Sequence, residues 1–325
     1  MLPIHFAPLQ GYTEDVYRRA HHRLCGGVAR YYTPFMRVEH GEVRRKDAFD
    51  MLPQYNEGVP LALQVIATGA DEMRVLLGAI EERWSAVPMA EGERLHIDVN
   101  MGCPFPLQVR HGRGAGVLQL PEKVEEICRF MADHSQYAWS VKMRLGVEEP
   151  DEWRSILPLL DAAPLEHITV HPRVARQQYG GEPDMEAFEA LMAASHTPII
   201  YNGDVTTVEE ICELEARYGA PNDAAHAPLA GVMIGRGLLA RPTLAREYTE
   251  GVTCTDADVV EVLCRLHDAV HESYASRIPG EAQLLQKLRT FWDYTETTLG
   301  RKPWKKVHKA GNMKNYLAAV TQVGG

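Results

Sequence analysis

The chain has 325 residues, 45% of them apolar and 24% charged, with a formal net charge of −10. That length suits one large domain plus a smaller one, and the acidic balance argues against indiscriminate nucleic-acid binding. No stretch approaches the roughly 18 apolar residues of a membrane span, the opening Met1-Leu-Pro-Ile-His-Phe6 lacks the pattern of a signal peptide, and the six cysteines include no CxxC pair, which argues against a zinc site and suits a reducing cytoplasm.

In chain order, eight short apolar runs read as strands: 4–8, 28–35, 60–66, 95–100, 138–144, 167–171, 198–202 and 231–235. Between most of them lie stretches with apolar residues three and four apart, which predict helices over 14–24, 71–84, 122–134, 151–160, 185–194 and 207–218. Asp71 and Thr206 or Thr207 are placed to cap two of these, the latter with Glu209 and Glu210 in the first turn. The connection 36–59 is less regular and predicts only a short helix. Residues 220–228 read as a surface insertion. Cys128, Cys212 and Cys264 fall in helical patterns beside apolar residues and read as core thiols. Eight β/α alternations predict a closed parallel (β/α)8 barrel over 1–248. An open doubly wound sheet would place GxGxxG after its first strand, and here that strand runs into Ala7-Pro-Leu-Gln-Gly11. After a junction at 242–255, helical periods at 256–277, 280–298 and 302–323 predict a helical domain over 249–325. Residues 301–325 hold six Lys or Arg and no acid, a local patch able to bind phosphate.

Polar residues gather where the strands end: Gln10, Arg37, Gln64, Asn100 with Cys103, Lys142 with Arg144, His171 with Arg173, Asn202-Gly-Asp204 and Gly235-Arg-Gly237. In a barrel these ends converge on one concave face. The last two pairs fit a phosphate site, because loops after strands seven and eight present backbone N–H groups to an anion. Lys142 sits in an otherwise apolar strand, and a lysine turned into a barrel needs a negative partner; the N1–C2=O2 edge of a reduced flavin is one. Cys103 has two chemistries open to it: general acid while protonated, or nucleophile if a nearby cation lowers its pKa.

These residues resemble the tRNA-dihydrouridine synthases over nearly the whole chain. Phe6-Ala-Pro-Leu-Gln-Gly-Tyr-Thr13 looks like the family's opening flavin loop. Asn100-Met-Gly-Cys-Pro104 followed by Gly112-Arg-Gly-Ala-Gly116 is its most specific signature. Val141-Lys-Met-Arg-Leu-Gly146, Val170-His-Pro-Arg173, Asn202-Gly-Asp204 and Gly235-Arg-Gly237 follow in family order. The resemblance implies an FMN-dependent barrel with a helical RNA-binding domain, reducing the 5,6 double bond of a uridine in tRNA with NADPH as reductant. By that likeness Pro8, Leu9, Gln10, Gln64, Lys142, His171, Asn202, Gly203, Asp204, Gly235 and Arg236 would hold FMN, and Cys103 would be the proton donor. Arg37, Asn100, Lys287, Arg289 and the basic tail would contact tRNA. Phe35-Met-Arg-Val38 and Lys287-Leu-Arg-Thr-Phe-Trp292 look most like the subfamily acting on U16 of the D-loop. Two positions depart from the family pattern: Pro106 stands where a lysine is usual, and His171-Pro-Arg-Val174 replaces His-Gly-Arg-Thr. A monomeric cytoplasmic protein is expected. A flavin barrel acting on a free metabolite such as dihydroorotate, and a dihydrouridine synthase acting on ribosomal RNA, are the rival functions.

Overall fold

The computed structural model describes residues 1–219 and 228–323, so most of the insertion expected at 220–228 lies outside the described residues. The strands are β1 (Ile4–Phe6), β2 (Arg30–Tyr32), β3 (Val38–Glu39), β4 (Glu42–Val43), β5 (Leu61–Val65), β6 (His96–Met101), β7 (Ala138–Gly146), β8 (Leu165–Val174), β9 (Ile199–Tyr201) and β10 (Gly231–Ile234). All but β3 and β4 close one barrel, β1-β2-β5-β6-β7-β8-β9-β10, and each neighbouring pair is parallel. The (β/α)8 barrel read from the alternation is therefore the fold. The small antiparallel hairpin β3–β4 follows the second barrel strand, and the short helix expected in that connection is Arg45–Asp50.

The strands alternate with a period of two, as a pleated strand must, and the two faces differ sharply in chemistry. Ile97, Val99 and Met101 of β6, Trp139, Val141, Met143 and Leu145 of β7, and Ile168 and Val170 of β8 join the main apolar core. Their alternates are His96, Asp98 and Asn100; Ser140, Lys142 and Arg144; and His167, Thr169, His171 and Arg173. The apolar filling inside the barrel is a separate small cluster of Ala7, Tyr32, Ala62, Ile200 and Met233. The rest of the interior is hydrogen-bonded. His5 Nδ1 and His167 Nε2 each lie 3.1 Å from the Tyr32 hydroxyl, and His96 Nε2 lies 2.8 Å from Ser140 Oγ. His96, Glu166 and His167 are close enough to share a cation, but the guanidinium of Arg30 already stands there, against His96 Nδ1 and 3.4 Å from Glu166.

Several helices differ from their sequence reading for local reasons. The stretch 151–160 splits into a 3-10 turn, Glu152–Ser155, and a short helix, Leu157–Asp161, because Pro158 has no N–H to continue one. Thr207 caps its helix as expected, with the reciprocal bond from Glu210. Asp71 does not cap: Gly69 takes the N-cap position of Ala70–Trp84, and Glu72 instead accepts the N–H of Thr68 at 2.9 Å. Of the three expected core thiols Cys128 is buried, Cys264 is partly covered and Cys212 is exposed.

Helix Leu244–Glu250 runs across the expected boundary at 248 and ends at Gly251, whose φ of 66° is the left-handed conformation that favours glycine. Beyond it come Asp256–Ala275, Glu281–Thr290, Glu296–Leu299, Arg301–Lys309 and Met313–Thr321. The single helix expected over 302–323 breaks at Ala310-Gly-Asn312, where Asn312 caps the last segment. Trp292, Tyr316 and His267 form the centre of this part: the Tyr316 hydroxyl accepts from Trp292 Nε1 at 2.9 Å and lies 2.7 Å from His267 Nε2. It docks on the first β/α loop, where Lys287 Nζ donates to Gly11 O at 2.7 Å, Tyr12 donates to Asp293 at 2.9 Å and Tyr274 donates to Glu14 at 2.9 Å.

Candidate active site

The C-terminal ends of the strands open on a cavity of about 500 Å³, within the range of small-molecule sites. Asn100 and Lys142 are register partners on β6 and β7, and Arg144 and His171 on β7 and β8. Register alone therefore puts these side chains on one face, and the loop after β6 brings Cys103 over it. That loop is held at its base by Asn100, whose Oδ1 accepts the N–H groups of Gly102 at 3.1 Å and Cys103 at 2.9 Å. Gly114 closes against it: its φ is 56°, and a Cβ there would stand 2.7 Å from Cys103 Cβ, so no other residue fits without moving the thiol.

Burial pushes the Cys103 thiol above its ordinary value, against the opposing pull of the Phe105 N–H and the Arg144, Lys142 and Arg37 charges. It holds its proton at neutral pH, which favours acid over nucleophile. Lys142 makes no hydrogen bond among the described residues. Burial, and then the neighbouring charge of Arg144, bring its ammonium down to about 8. Arg144 braces the mouth by donating to Gly102 O at 3.0 Å, Val174 O at 3.1 Å and Gln178 O at 2.7 Å. His171 is kept neutral by burial and by the cations Arg144, Lys142 and Arg173, its pKa well below the usual range. Arg173 Nη1 donates to its Nε2 at 3.0 Å, so the ring proton sits on Nδ1.

At the other end of the cavity one carboxylate meets two guanidiniums. Asp204 pairs with Arg173 at 2.5 Å and also with Arg236. Burial opposes its charge, but the two arginines outweigh it and hold the carboxyl below its usual range. Two cations on one anion leave net positive charge beside Gly203 and Gly235. At Gly203 a Cβ would fall 1.9 Å from the Tyr201 hydroxyl, so the backbone there stays bare. Excess positive charge and open backbone at one end, with an unbonded ammonium at the other, form a donor set that suits a phosphate-bearing, electron-rich ring such as FMN.

The family profile described as dihydrouridine synthase matches residues 5–322. The chain belongs to the dihydrouridine synthase family. It is 28% identical over 267 residues to the tRNA-dihydrouridine(16) synthase of Neisseria meningitidis serogroup A, covering 79% of this chain and 74% of that protein. It is 26% identical over 331 residues to the tRNA-dihydrouridine(16) synthase of Pseudomonas syringae pv. tomato, covering 99% and 90%. It is 28% identical over 274 residues to a probable tRNA-dihydrouridine synthase of Helicobacter pylori, covering 83% and 77%.

Against this family background, the cavity brings together Pro8, Leu9, Gln10, Gln64, Asn100, Cys103, Lys142, His171, Asn202, Gly203, Asp204, Gly235 and Arg236. Three residues expected on the RNA side do not line it. Arg37 pairs with Glu39 at 2.7 Å; Lys287 pairs with Glu14 at 2.9 Å; Arg289 donates to the carbonyl of Ala310. Tyr294 and Thr297, which line the cavity from the helical part, were invisible to the sequence reading because that part has no strand ends to locate them. Tyr179 is another wall residue, with Arg236 4.8 Å and Arg144 5.7 Å from its ring centre. Asp98, an acid in a strand whose sequence reads as apolar, lies beneath the cavity. Burial lifts its carboxyl to about 6, against Ser140, Gln64 and Lys142.

Proposed function

We propose that this chain is a cytoplasmic tRNA-dihydrouridine synthase that binds FMN, takes reducing equivalents from NADPH and saturates the 5,6 double bond of the D-loop uridine at position 16. The observation that carries the reading is the pairing, in one cavity, of a thiol on the loop after β6 that keeps its proton with an ammonium on β7 that makes no hydrogen bond among the described residues. Position 16 rests on the relatives from Neisseria and Pseudomonas that bear it in their names.

FMN, when bound, supplies the hydride. Lys142 would balance the negative edge of its ring, with Gln64 and His171 Nδ1–H as neutral donors, and Pro8, Leu9 and Gln10 would form a wall. Asn202, Gly203, Gly235 and Arg236 would take the phosphate, with Asp204 orienting Arg236. Cys103 would hold a proton for C5 of the uracil. The thiolate left behind is stabilised by Arg144 and Lys142, the cations that already favour it. The target base must leave its stack to enter the cavity.

Residues 249–325 serve as the tRNA-binding part. Lys302, Lys305, Lys306 and Lys309 line one groove there, which favours RNA over a free metabolite. Arg37, Lys287 and Arg289, by exchanging their present partners, would complete the RNA side, with Asn100 beneath the base through the loop it holds.

The test is dihydrouridine formation on unmodified tRNA with FMN and NADPH. Cys103→Ala is expected to retain FMN and lose at least ~100-fold in uridine reduction, in line with the loss of a general acid. Replacing the four groove lysines by glutamine should weaken tRNA binding and flatten its salt dependence, with FMN content unchanged. Full turnover in Cys103→Ala, or dihydrouridine made only in ribosomal RNA, would overturn the proposal.

A further inference from the structure

From beneath the cavity floor up to the Cys103 loop a file of polar side chains runs across three strands, and each of its bonds has a direction. Asp98 is wholly buried and faces Gln64 on β5 and Ser140 on β7 in register. Its two carboxylate oxygens accept from Gln64 Nε2 at 2.7 Å and from Ser140 Oγ at 2.5 Å. An ionised carboxylate only accepts, so Gln64 must turn its NH2 toward Asp98 and its carbonyl away. That carbonyl accepts from Asn100 Nδ2 at 2.8 Å. Asn100 must then turn its own carbonyl toward the loop, where it takes the N–H groups of Gly102 and Cys103. Flipping either amide in the file would set acceptor against acceptor on one side of it and donor against donor on the other, in a buried site where an unmade bond is costly.

We propose that Asp98 is a positioning residue of this site: through the fixed orientations of Gln64 and Asn100 it sets the place of the loop that carries Cys103. The thiol itself never touches Asp98. The acid supplies the polarity of the file, the two amides transmit it, and the backbone of Gly102 and Cys103 receives it. The inference rests on the reading of Cys103 as proton donor, but its physical content is the immobility of that loop, which can be measured without substrate.

The experiment follows alkylation of Cys103 by iodoacetamide in the FMN-loaded full-length protein, with the Cys103 peptide quantified by mass spectrometry to separate it from the five other cysteines. Asp98→Ala removes both acceptors and is expected to speed alkylation about tenfold, and to lower kcat for uridine reduction about tenfold with the tRNA KM within twofold of wild type. Asp98→Asn can accept from Gln64 through its carbonyl and donate to Ser140, whose hydroxyl turns, so alkylation should return to within threefold of wild type. Gln64→Leu cuts the same file from its other side and, because Gln64 also faces the cofactor, is read by the alkylation rate alone, which should match that of Asp98→Ala; it also serves if Asp98→Ala does not fold. Wild-type alkylation rates in either Asp98→Ala or Gln64→Leu, or equal acceleration in Asp98→Ala and Asp98→Asn, would overturn the proposal. If the wild-type protein makes no dihydrouridine, the functional reading fails, while the alkylation series still judges the role of Asp98.

Discussion

Lys142 shows how one residue's surroundings decide its chemistry. Its strand was legible as apolar apart from that one position, and the cost of an unpaired lysine inside a barrel already pointed to an anionic ligand. The structure adds the pH at which the charge is lost. With its ammonium brought down to about 8 by burial and by Arg144, Lys142 is charged below that pH and neutral above it. FMN affinity should therefore fall about tenfold between pH 7 and pH 9.5, the size of one charge-assisted bond, with the midpoint moved upward by the bound anion. Fluorescence titration of FMN across that range checks it, and Lys142→Met should flatten the dependence. An equally steep fall in that variant would remove Lys142 from the account. Asp98, by contrast, is hard to single out because its strand, Leu95-His-Ile-Asp-Val-Asn100, reads as an apolar run. The alternation that turns His96, Asp98 and Asn100 to one face is plain once the strand's register is known.

At the scale of elements, the strands were legible and the connections less so. Barrel strands announce themselves by short apolar runs, because each has a face against the helices. The helices were placed where the 3.6-residue period was strong, and they failed where a proline or an Asn cap divided a continuous pattern, at Pro158 and at Asn312. The segment 36–59 has little period of its own since a buried ion pair holds it. Arg18, fully buried on helix Asp15–Leu24, pairs with Asp50 at 2.9 Å and donates to Thr13 O at 2.6 Å, Asp50 O at 3.0 Å and Asn56 Oδ1 at 2.8 Å. Nothing in the sequence ties residue 18 to residues 50 and 56. Arg18→Leu strands a buried carboxylate and should cost about 3–5 kcal/mol, read as a lowered midpoint in urea unfolding. Loss of less than about 1 kcal/mol would mean that the segment is held by its apolar contacts alone.

For the whole molecule, the basic tail cannot be treated as an appendage. Trp304 donates to Trp292 O at 2.9 Å and Tyr316 sits at the centre of the helical part, so deleting residues 301–325 would remove core as well as charge. Substituting the lysines isolates the charge. The same helical part supplies Tyr294 and Thr297 to the cavity wall, so the part proposed to bind tRNA also shapes the cavity.

The barrel's hydrogen-bonded interior also limits the acidity the chain can withstand. Six histidines among the described residues are buried, four of them, His5, His96, His167 and His171, on barrel strands, with His21 and His267 on helices. Burial lowers the pKa of each, to about 3 for His5 and His21, to about 4 for His267, and well below the usual range for His167 and His171, with His96 lowered as well. The unfolded chain takes up protons at these residues near pH ~6.5, and the folded chain does not. Their contribution to stability is complete above that pH and is lost as pH falls through it, by about 1.4 kcal/mol at pH 5.5 for each of the five held far below it. Those five together approach the whole net stability of an ordinary domain. Urea unfolding between pH 8 and pH 5 should show the midpoint collapsing below about 6; a flat profile would mean that these rings accept protons while folded. Held below about pH 5.5, as in an acidic vesicle, the chain is expected to lose most of its stability.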